Sequence, residues 1–195
     1  MDNRLQAALR ENGGIITVAQ GRKAGLSHTS ILRAAKAGMI ERVAHGVYEA
    51  ADEFDDVIYA SQLRRPKAIY SHGTALYLHD LTDRDPLNLS VTVPTGYNTK
   101  QLVKDGFTVF TIKKELYELG IIRTPTRYGR EVMSYNMERT ICDCVRSRNR
   151  MDAEIVAESV KRYSKHKSRD IHTLMEMAAV FGVQRIMRTY MEVLI

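Results

Sequence analysis

Residues 13–48 read GGIITVAQGRKAGLSHTSILRAAKAGMIERVAHGVY, and the N-terminal fold is decided there. Residues 17–23 predict a short helix that opens on Thr17 as its cap. Ala24-Gly25-Leu26-Ser27 follows as a tight turn, in which Gly25 supplies the left-handed conformation a sharp corner needs. Ser27 then caps a second helix over 28–37, and Gly38 ends it. At helical spacing Ile31, Leu32 and Ala35 fall toward the core, while Thr29, Ser30, Arg33 and Lys36 fall on the other side. Residues 39–43 and 47–49 read as two short strands around Ala44-His45-Gly46, with Arg42 and His45 near the tip. Ahead of this, 2–12 predicts a helix with an apolar stripe of Leu5, Ala8 and Leu9, and Ile15-Ile16 a short strand that pairs with the hairpin. That order of parts is a winged helix-turn-helix.

A short, polar, basic helix face after a glycine turn suits a major groove about 12 Å wide. The expected partner is double-stranded DNA. Thr29, Ser30 and Arg33 are placed to read base edges, with Ser27 and His28 at the entering end of the same helix. Arg22, Lys23, Lys36, Arg42 and His45 are placed for phosphates or the adjacent minor groove. Each part alone has a plainer reading. Gly25 would serve any helix stop, Arg33 and Lys36 any solvated face, and a small helical domain with a hairpin also docks proteins. The order of the parts is more specific than any one of them.

The whole chain sets the bounds. Its 195 residues, 44% hydrophobic and 27% charged, are those of an ordinary globular protein with room for two small domains. The net charge of +6 and pI near 9.3 favour an anionic partner without deciding it. Cys142 and Cys144 lie two apart in a helical stretch and diverge, so they do not pair. With no further thiol, a reducing cytoplasm is expected and a cysteine zinc site is not. The opening MDNRLQAALRENGG is too polar for a signal peptide or anchor, and no apolar run is long enough to span a bilayer.

After the hairpin the chain alternates strands and helices. Residues 50–65 predict a helix with Asp52, Glu53, Asp55 and Asp56 in its first turn and Arg64 and Arg65 in its last, which suits the helix dipole. Pro66 stops it, and the domain boundary falls near this helix. Residues 67–70 read as a strand, and Ser71 caps a helix to about 81 with Ala75, Leu76 and Leu78 inward. His72 and His79 stand seven apart there, too far to share a metal without further ligands, and read as surface or packed histidines. Strands are expected over 87–93 and 107–112, with a loop at 94–98 that lacks the glycine spacing of a phosphate loop. One or two helical turns follow over 113–120, then a strand pair, 121–124 and 130–135, around Pro125 and Gly129.

A second landmark is the helix over 136–148, capped by Asn136, with Met137, Ile141, Cys142 and Val145 inward. Its Glu138, Arg139 and Asp143 read better as a structural ion pair than as catalytic groups, because Glu138 and Asp143 diverge around the helix. A lesser reading has Arg139 touching a partner. The tail predicts helices over 152–163, 170–182 and 183–194. Between the first and second of them lies KRYSKHKSR, residues 161–169, with five basic residues, an aromatic and no acid. Lys161, Arg162, Lys165, Lys167 and Arg169, with Arg148 and Arg150, form a candidate second basic surface.

The quoted stretch, with YSHGTALYLHDLTD from Tyr70, SYNMERTICDCVR from Ser134 and RDIHTLMEMAAVFGV near the end, resembles the AbiEi family in the family's order over nearly the whole chain. These are antitoxins and autoregulators of type IV abortive-infection toxin–antitoxin systems. The resemblance implies a repressor that binds inverted repeats in its own promoter. It also implies an antitoxin against a nucleotidyltransferase-like toxin, acting without a stable complex. The expected layout is an α+β chain, with a winged helix-turn-helix DNA-binding domain over 1–50. An α+β antitoxin domain over 51–195 follows, a mixed α/β fold ending in helices, where the basic surface is the candidate antitoxin region.

No catalytic residue, metal site or cofactor is expected, and two monomers pairing on an inverted repeat are favoured over a coiled-coil dimer. The alternative is a nuclease-like or ligand-sensing regulator of unrelated operons. A restriction-type nuclease needs an acid two residues before a strand-end lysine, and Thr111-Ile112-Lys113 has threonine there. No cofactor fingerprint supports a ligand sensor.

Overall fold

The structure, a computed structural model, describes residues 2–51 and 56–194. The chain divides into two compact units, Met1–Pro66 with Thr126–Arg130, and Lys67–Pro125 with Glu131–Ile195.

In the first unit Asp2 caps α1 (Asn3–Glu11) by accepting from Arg4 N at 2.9 Å, and Leu5, Ala8 and Leu9 form its buried stripe. Strand β1 (Ile15–Thr17) leads into α2 (Val18–Lys23), and α3 (His28–Lys36) follows after the Gly25 turn. Strands β2 (Ile40–Ala44) and β3 (Val47–Ala50) make an antiparallel hairpin. The three strands form one sheet in the order β1-β3-β2, with Ile16 opposite Tyr48. Adjacent strand residues point to opposite faces, so Ile16 joins Leu5, Leu9, Leu26, Ile31 and Tyr48 under the helices. Ile15 instead packs with Val47 and with Ala60 of α4 (Val57–Arg64), which covers the other face.

The helix expected over 50–65 is shorter than that. Ala50 continues β3, where its N–H donates to Gly14 O at 2.8 Å, so strand pairing takes the first residue of the expected helix. Asp56 is the cap of α4, accepting from Tyr59 N at 3.0 Å. Asp52, Glu53 and Asp55, expected in its first turn, lie outside the described residues.

The segment Thr126–Arg130 belongs to this unit although it lies far along the chain. Thr126 Oγ1 donates to Asp56 Oδ2 at 2.5 Å, and Arg130 Nη1 donates to Glu49 Oε1 at 3.1 Å.

The second unit is built on a five-stranded sheet and a helical layer. Strand β4 (Ile69–Tyr70) runs into α5 (His72–Leu78), and β5 (Ser90–Pro94) is followed by α6 (Lys100–Lys104) and β6 (Thr108–Ile112). Then come α7 (Lys114–Tyr117), β7 (Ile121–Pro125), β8 (Glu131–Tyr135) and α8 (Met137–Arg146). A 3-10 turn at Arg148–Arg150 leads to α9 (Ala153–Lys165), α10 (Ile171–Val180) and α11 (Gln184–Leu194). The sheet order is β6-β5-β4-β8-β7. The pairs β5–β6 and β4–β8 are parallel, and β4–β5 and β7–β8 antiparallel.

Helix α8 is the axis of this unit. Every residue from Glu138 to Val145 is buried, against a core that includes Leu76, Val160, Leu174 and Met187. The strand expected over 87–93 begins only at Ser90, which stands opposite the first residue of β6, and Leu87 ahead of the pairing is fully exposed. The mixed α+β organisation is as expected. Among the described residues no helix is long and apolar enough to cross a membrane.

Candidate nucleic-acid interface

The helix pair in the first unit is set by local signals. Thr17 Oγ1 accepts from Gln20 N at 3.1 Å, and Gln20 Oε1 accepts from Thr17 N at 2.8 Å, a reciprocal cap on α2. Gly25 takes φ +79°, and Ser27 Oγ caps α3 by accepting from Ser30 N at 3.0 Å. Gly21 is a second glycine of this helix pair, marked by no turn or cap in the sequence. A Cβ at Gly21 would stand 2.7 Å from Ile31 Cδ1, so any larger residue would require the tip of Ile31 to shift where α2 faces α3.

The exposed side of α3 carries His28, Thr29, Arg33 and Lys36, with Ser27 exposed at its cap and Ser30 half-buried. The hydroxyls of Ser27 and Ser30 lie 2.8 Å apart, already engaged with each other. Arg22 and Lys23 are exposed on the last turn of α2. One expectation fails here. Leu32 is 39% exposed and Ala34 takes its place in the core, because Ala34 is one turn on from the fully buried Ile31 while Leu32 is rotated away.

The hairpin presents Arg42 and His45, both exposed, and Arg42 Nη2 lies 2.8 Å from His45 Nδ1. Arg42 Nε also donates to Ala44 O at 3.3 Å. Val18 N donates to Gly46 O at 2.9 Å, which ties the start of α2 to the turn of the hairpin. Arg4 of α1 adds a further cation, donating to Gly25 O at 3.4 Å. No periodicity could have singled it out, since α1 reads as a core helix.

The second unit separates the other candidates. Lys161 pairs with Glu158 at 3.8 Å, and Arg162 pairs with Glu158 at 3.1 Å and also with Asp83. Arg148 Nη1 donates to Val145 O at 3.1 Å, and the Arg150 guanidinium lies 4.4 Å from the Phe110 ring centre. Lys165, Lys167 and Arg169 stand exposed. Tyr163, the aromatic of that run, is fully buried and its hydroxyl donates to Glu138 Oε1 at 2.9 Å, so it is core and not surface.

Arg139 is likewise buried, bonded through Nε to Asp143 Oδ2 at 2.7 Å, which supports the structural reading and overturns contact with a partner. His72 and His79 are packed. His72 Nε2 lies 3.0 Å from Ser147 Oγ, and His79 Nε2 is 2.7 Å from Tyr135 O. Among the described residues no group of three or more His, Cys, Asp or Glu is placed to hold a metal ion.

Residues 3–51 match the model of a family described as transcriptional regulator, AbiEi antitoxin. The match supports the resemblance to the AbiEi family and covers α1 through β3, the elements that carry the candidate interface residues. In three dimensions the chain is similar to the crystal structure of the RV2827C protein from Mycobacterium tuberculosis, with a TM-score of 0.59 over 97% of this chain and 80% of that one. At 11% identity that likeness shows a shared fold. No curated protein matches the chain in sequence.

Proposed function

We propose that the chain is a sequence-specific DNA-binding repressor of its own operon and the antitoxin of a type IV toxin–antitoxin system. The first unit acts as a winged helix-turn-helix. Helix α3 enters the major groove, and the β2–β3 hairpin is the wing. Thr29, Ser30 and Arg33 read base edges, with Ser27 and His28 at the entering end. Arg22, Lys23, Lys36, Arg42 and His45 hold phosphates or the neighbouring minor groove. The carrying observation is that the Gly25 turn and the Ser27 cap leave Thr29, Arg33 and Lys36 exposed on one short helix, inside the segment that matches a regulator family.

Two copies bind an inverted repeat in the chain's own promoter. The second domain counteracts a nucleotidyltransferase-like toxin in the cytoplasm without forming a stable complex with it. The surface around Lys165, Lys167 and Arg169 serves that activity. Their exposure supports this assignment over Arg162, which acids already neutralise.

The test is binding to the duplex just upstream of the reading frame, beside a scrambled duplex, across a salt series. Preferential binding that survives moderate salt is expected. Equal, weak and steeply salt-sensitive binding to both duplexes would reduce the interface to a basic surface. Antitoxicity is read separately, from growth rescue when the chain is expressed with the adjacent toxin.

A further inference from the structure

The unit that carries the interface is not closed by its own stretch of sequence. The family match ends at residue 51, yet the compact unit also takes in α4 and the segment Thr126–Arg130. That segment delivers one guanidinium to the base of the hairpin. Glu49 lies on β3, the central strand of the three-stranded sheet, opposite Ile15 on one side and Glu41 on the other. It is only 3% exposed, and a carboxylate in that position requires a charged partner. Arg130, 81 residues further on, supplies it at 3.1 Å with its own side chain 10% exposed.

Arg130 is itself held on two sides, and the segment that carries it is pinned at its far end. Its guanidinium lies 5.6 Å from the centre of the Tyr59 ring on α4. Its side chain runs past Gly13, where a Cβ would come within 3.4 Å of Arg130 Nε. Thr126 Oγ1 fixes the other end of the segment to Asp56, the cap of α4. The hairpin needs such an anchor. Glu41 pairs in register with Glu49 at the base and Ala44 with Val47 at the tip, where Gly46 O also accepts from Val18 N, but the register shifts between them, so the direction of the bulged arm bearing Arg42 depends on how its base is held.

We infer that Arg130 is a positioning residue for DNA recognition. Through Glu49 it fixes the base of the wing and so the direction in which Arg42 and His45 are presented. It makes no contact with DNA itself. The inference rests on the DNA-binding reading above.

The experiment measures affinity of the full chain for the upstream duplex across a salt series, for Arg130→Met, Arg130→Lys, Arg42→Ala and the Arg130→Met/Arg42→Ala double variant. Circular dichroism first establishes that each is folded at the assay temperature. Arg130→Met should weaken specific binding about tenfold and lower the salt slope by about one, as Arg42→Ala does, because the phosphate contact of Arg42 is lost with its direction. Arg130→Lys, which keeps the charge on Glu49 but loses the contact with Tyr59, should recover part of that. Arg42→Ala should cost affinity in the wild-type chain and almost none in the Arg130→Met background, a non-additivity that a general loss of stability in a folded protein does not produce. Should Arg130→Met not fold, Thr126→Val is measured in its place and should show the same coupling to Arg42→Ala at smaller size. Wild-type affinity in Arg130→Met, or losses that simply multiply, would overturn the inference. A wild-type chain that does not distinguish the two duplexes removes instead the reading on which it rests.

Discussion

Arg139 Nε donates to Asp143 Oδ2 at 2.7 Å, one turn along the same helix, and neither side chain reaches solvent. Of its other donors, Nη1 reaches outward from that pair, while Nη2 is buried without a hydrogen-bond partner. Nη1 donates to Leu116 O at 2.8 Å and Leu119 O at 2.9 Å, and the guanidinium plane lies 4.2 Å from the centre of Tyr135 and 3.9 Å from that of Phe181. Arg146 completes the set, donating to Asp143 Oδ1 at 2.9 Å. One arginine therefore ties α8 to the chain around α7 and to the helix that ends at Phe181.

Arg139→Met keeps the bulk but removes the charge and leaves Asp143 buried beside a single guanidinium. Breaking one partner out of a buried pair costs about 3–5 kcal/mol. Urea unfolding followed by circular dichroism should show the midpoint of the second unit falling accordingly. An unchanged midpoint would mean the pair contributes nothing to holding α8 in place.

His72 predicts a dependence on pH. Its Nδ1 lies 2.9 Å from Ser71 Oγ, its Nε2 3.0 Å from Ser147 Oγ, and its ring stacks on Phe110 with centres 3.4 Å apart. Burial, and then the charges of Arg146, Arg139 and Arg150, hold its pKa well below the ordinary 6.5. His79 is lowered too, chiefly by burial, against the hydrogen bond to Tyr135 O. Below about 6.5 the unfolded chain takes up protons that the folded chain refuses. Stability is therefore full above that value and is lost as pH falls through it, by up to about 1.4 kcal/mol per pH unit for each histidine. Urea titrations between pH 7 and pH 5 should show the fall, and His72→Asn should remove its share of the slope. A slope identical in His72→Asn would contradict the account.

Neighbouring positions on α3 should behave very differently. Ile31 is fully buried under Gly21, whereas Leu32 is 39% exposed. Ile31→Ala should cost about 2–5 kcal/mol of stability in the first unit. Leu32→Ala should cost under about 1 kcal/mol. Thermal melts of the two variants decide the matter, and equal shifts would put both side chains in the core.

On the same helix Arg33→Ala and Lys36→Ala should separate base reading from phosphate contact. Loss of Arg33 should cost about 1–3 kcal/mol on the upstream duplex and blunt the preference over random DNA. Loss of Lys36 should weaken both duplexes alike and lower the salt slope by about one. Equal losses on both duplexes for Arg33→Ala would end its base-reading role.

Cys142 and Cys144 are both fully buried in α8. Burial pushes the Cys142 thiol up to about 12 and the Cys144 thiol well above its ordinary value. Neither presents a thiolate, so iodoacetamide at mildly alkaline pH should leave the native chain unmodified and label both thiols once urea unfolds it. Mass spectrometry reads the difference, and rapid labelling of native protein would be incompatible with this packing.

The amino-acid sequence by itself determined the first unit from α1 to β3. Its signals there are local: Thr17 with Gln20, Ser27 with Ser30, a left-handed Gly25, each acting within a few residues along the backbone. The α+β layout and the strand pair β7–β8 were legible for the same reason, as was the cap Asn136.

Only the tertiary structure decided the rest. It seated Ala34 and not Leu32 in the core, placed the shared face of α2 and α3 on Gly21, and buried Tyr163 within a run that reads as basic surface. It also brought Arg130 to Glu49 and Thr126 to Asp56 across 81 and 70 residues of chain. Periodicity reports which residues share a face, but not which face another element will cover. A buried charge likewise reveals its partner only once distant segments have packed, because the partner is selected by desolvation and three-dimensional reach.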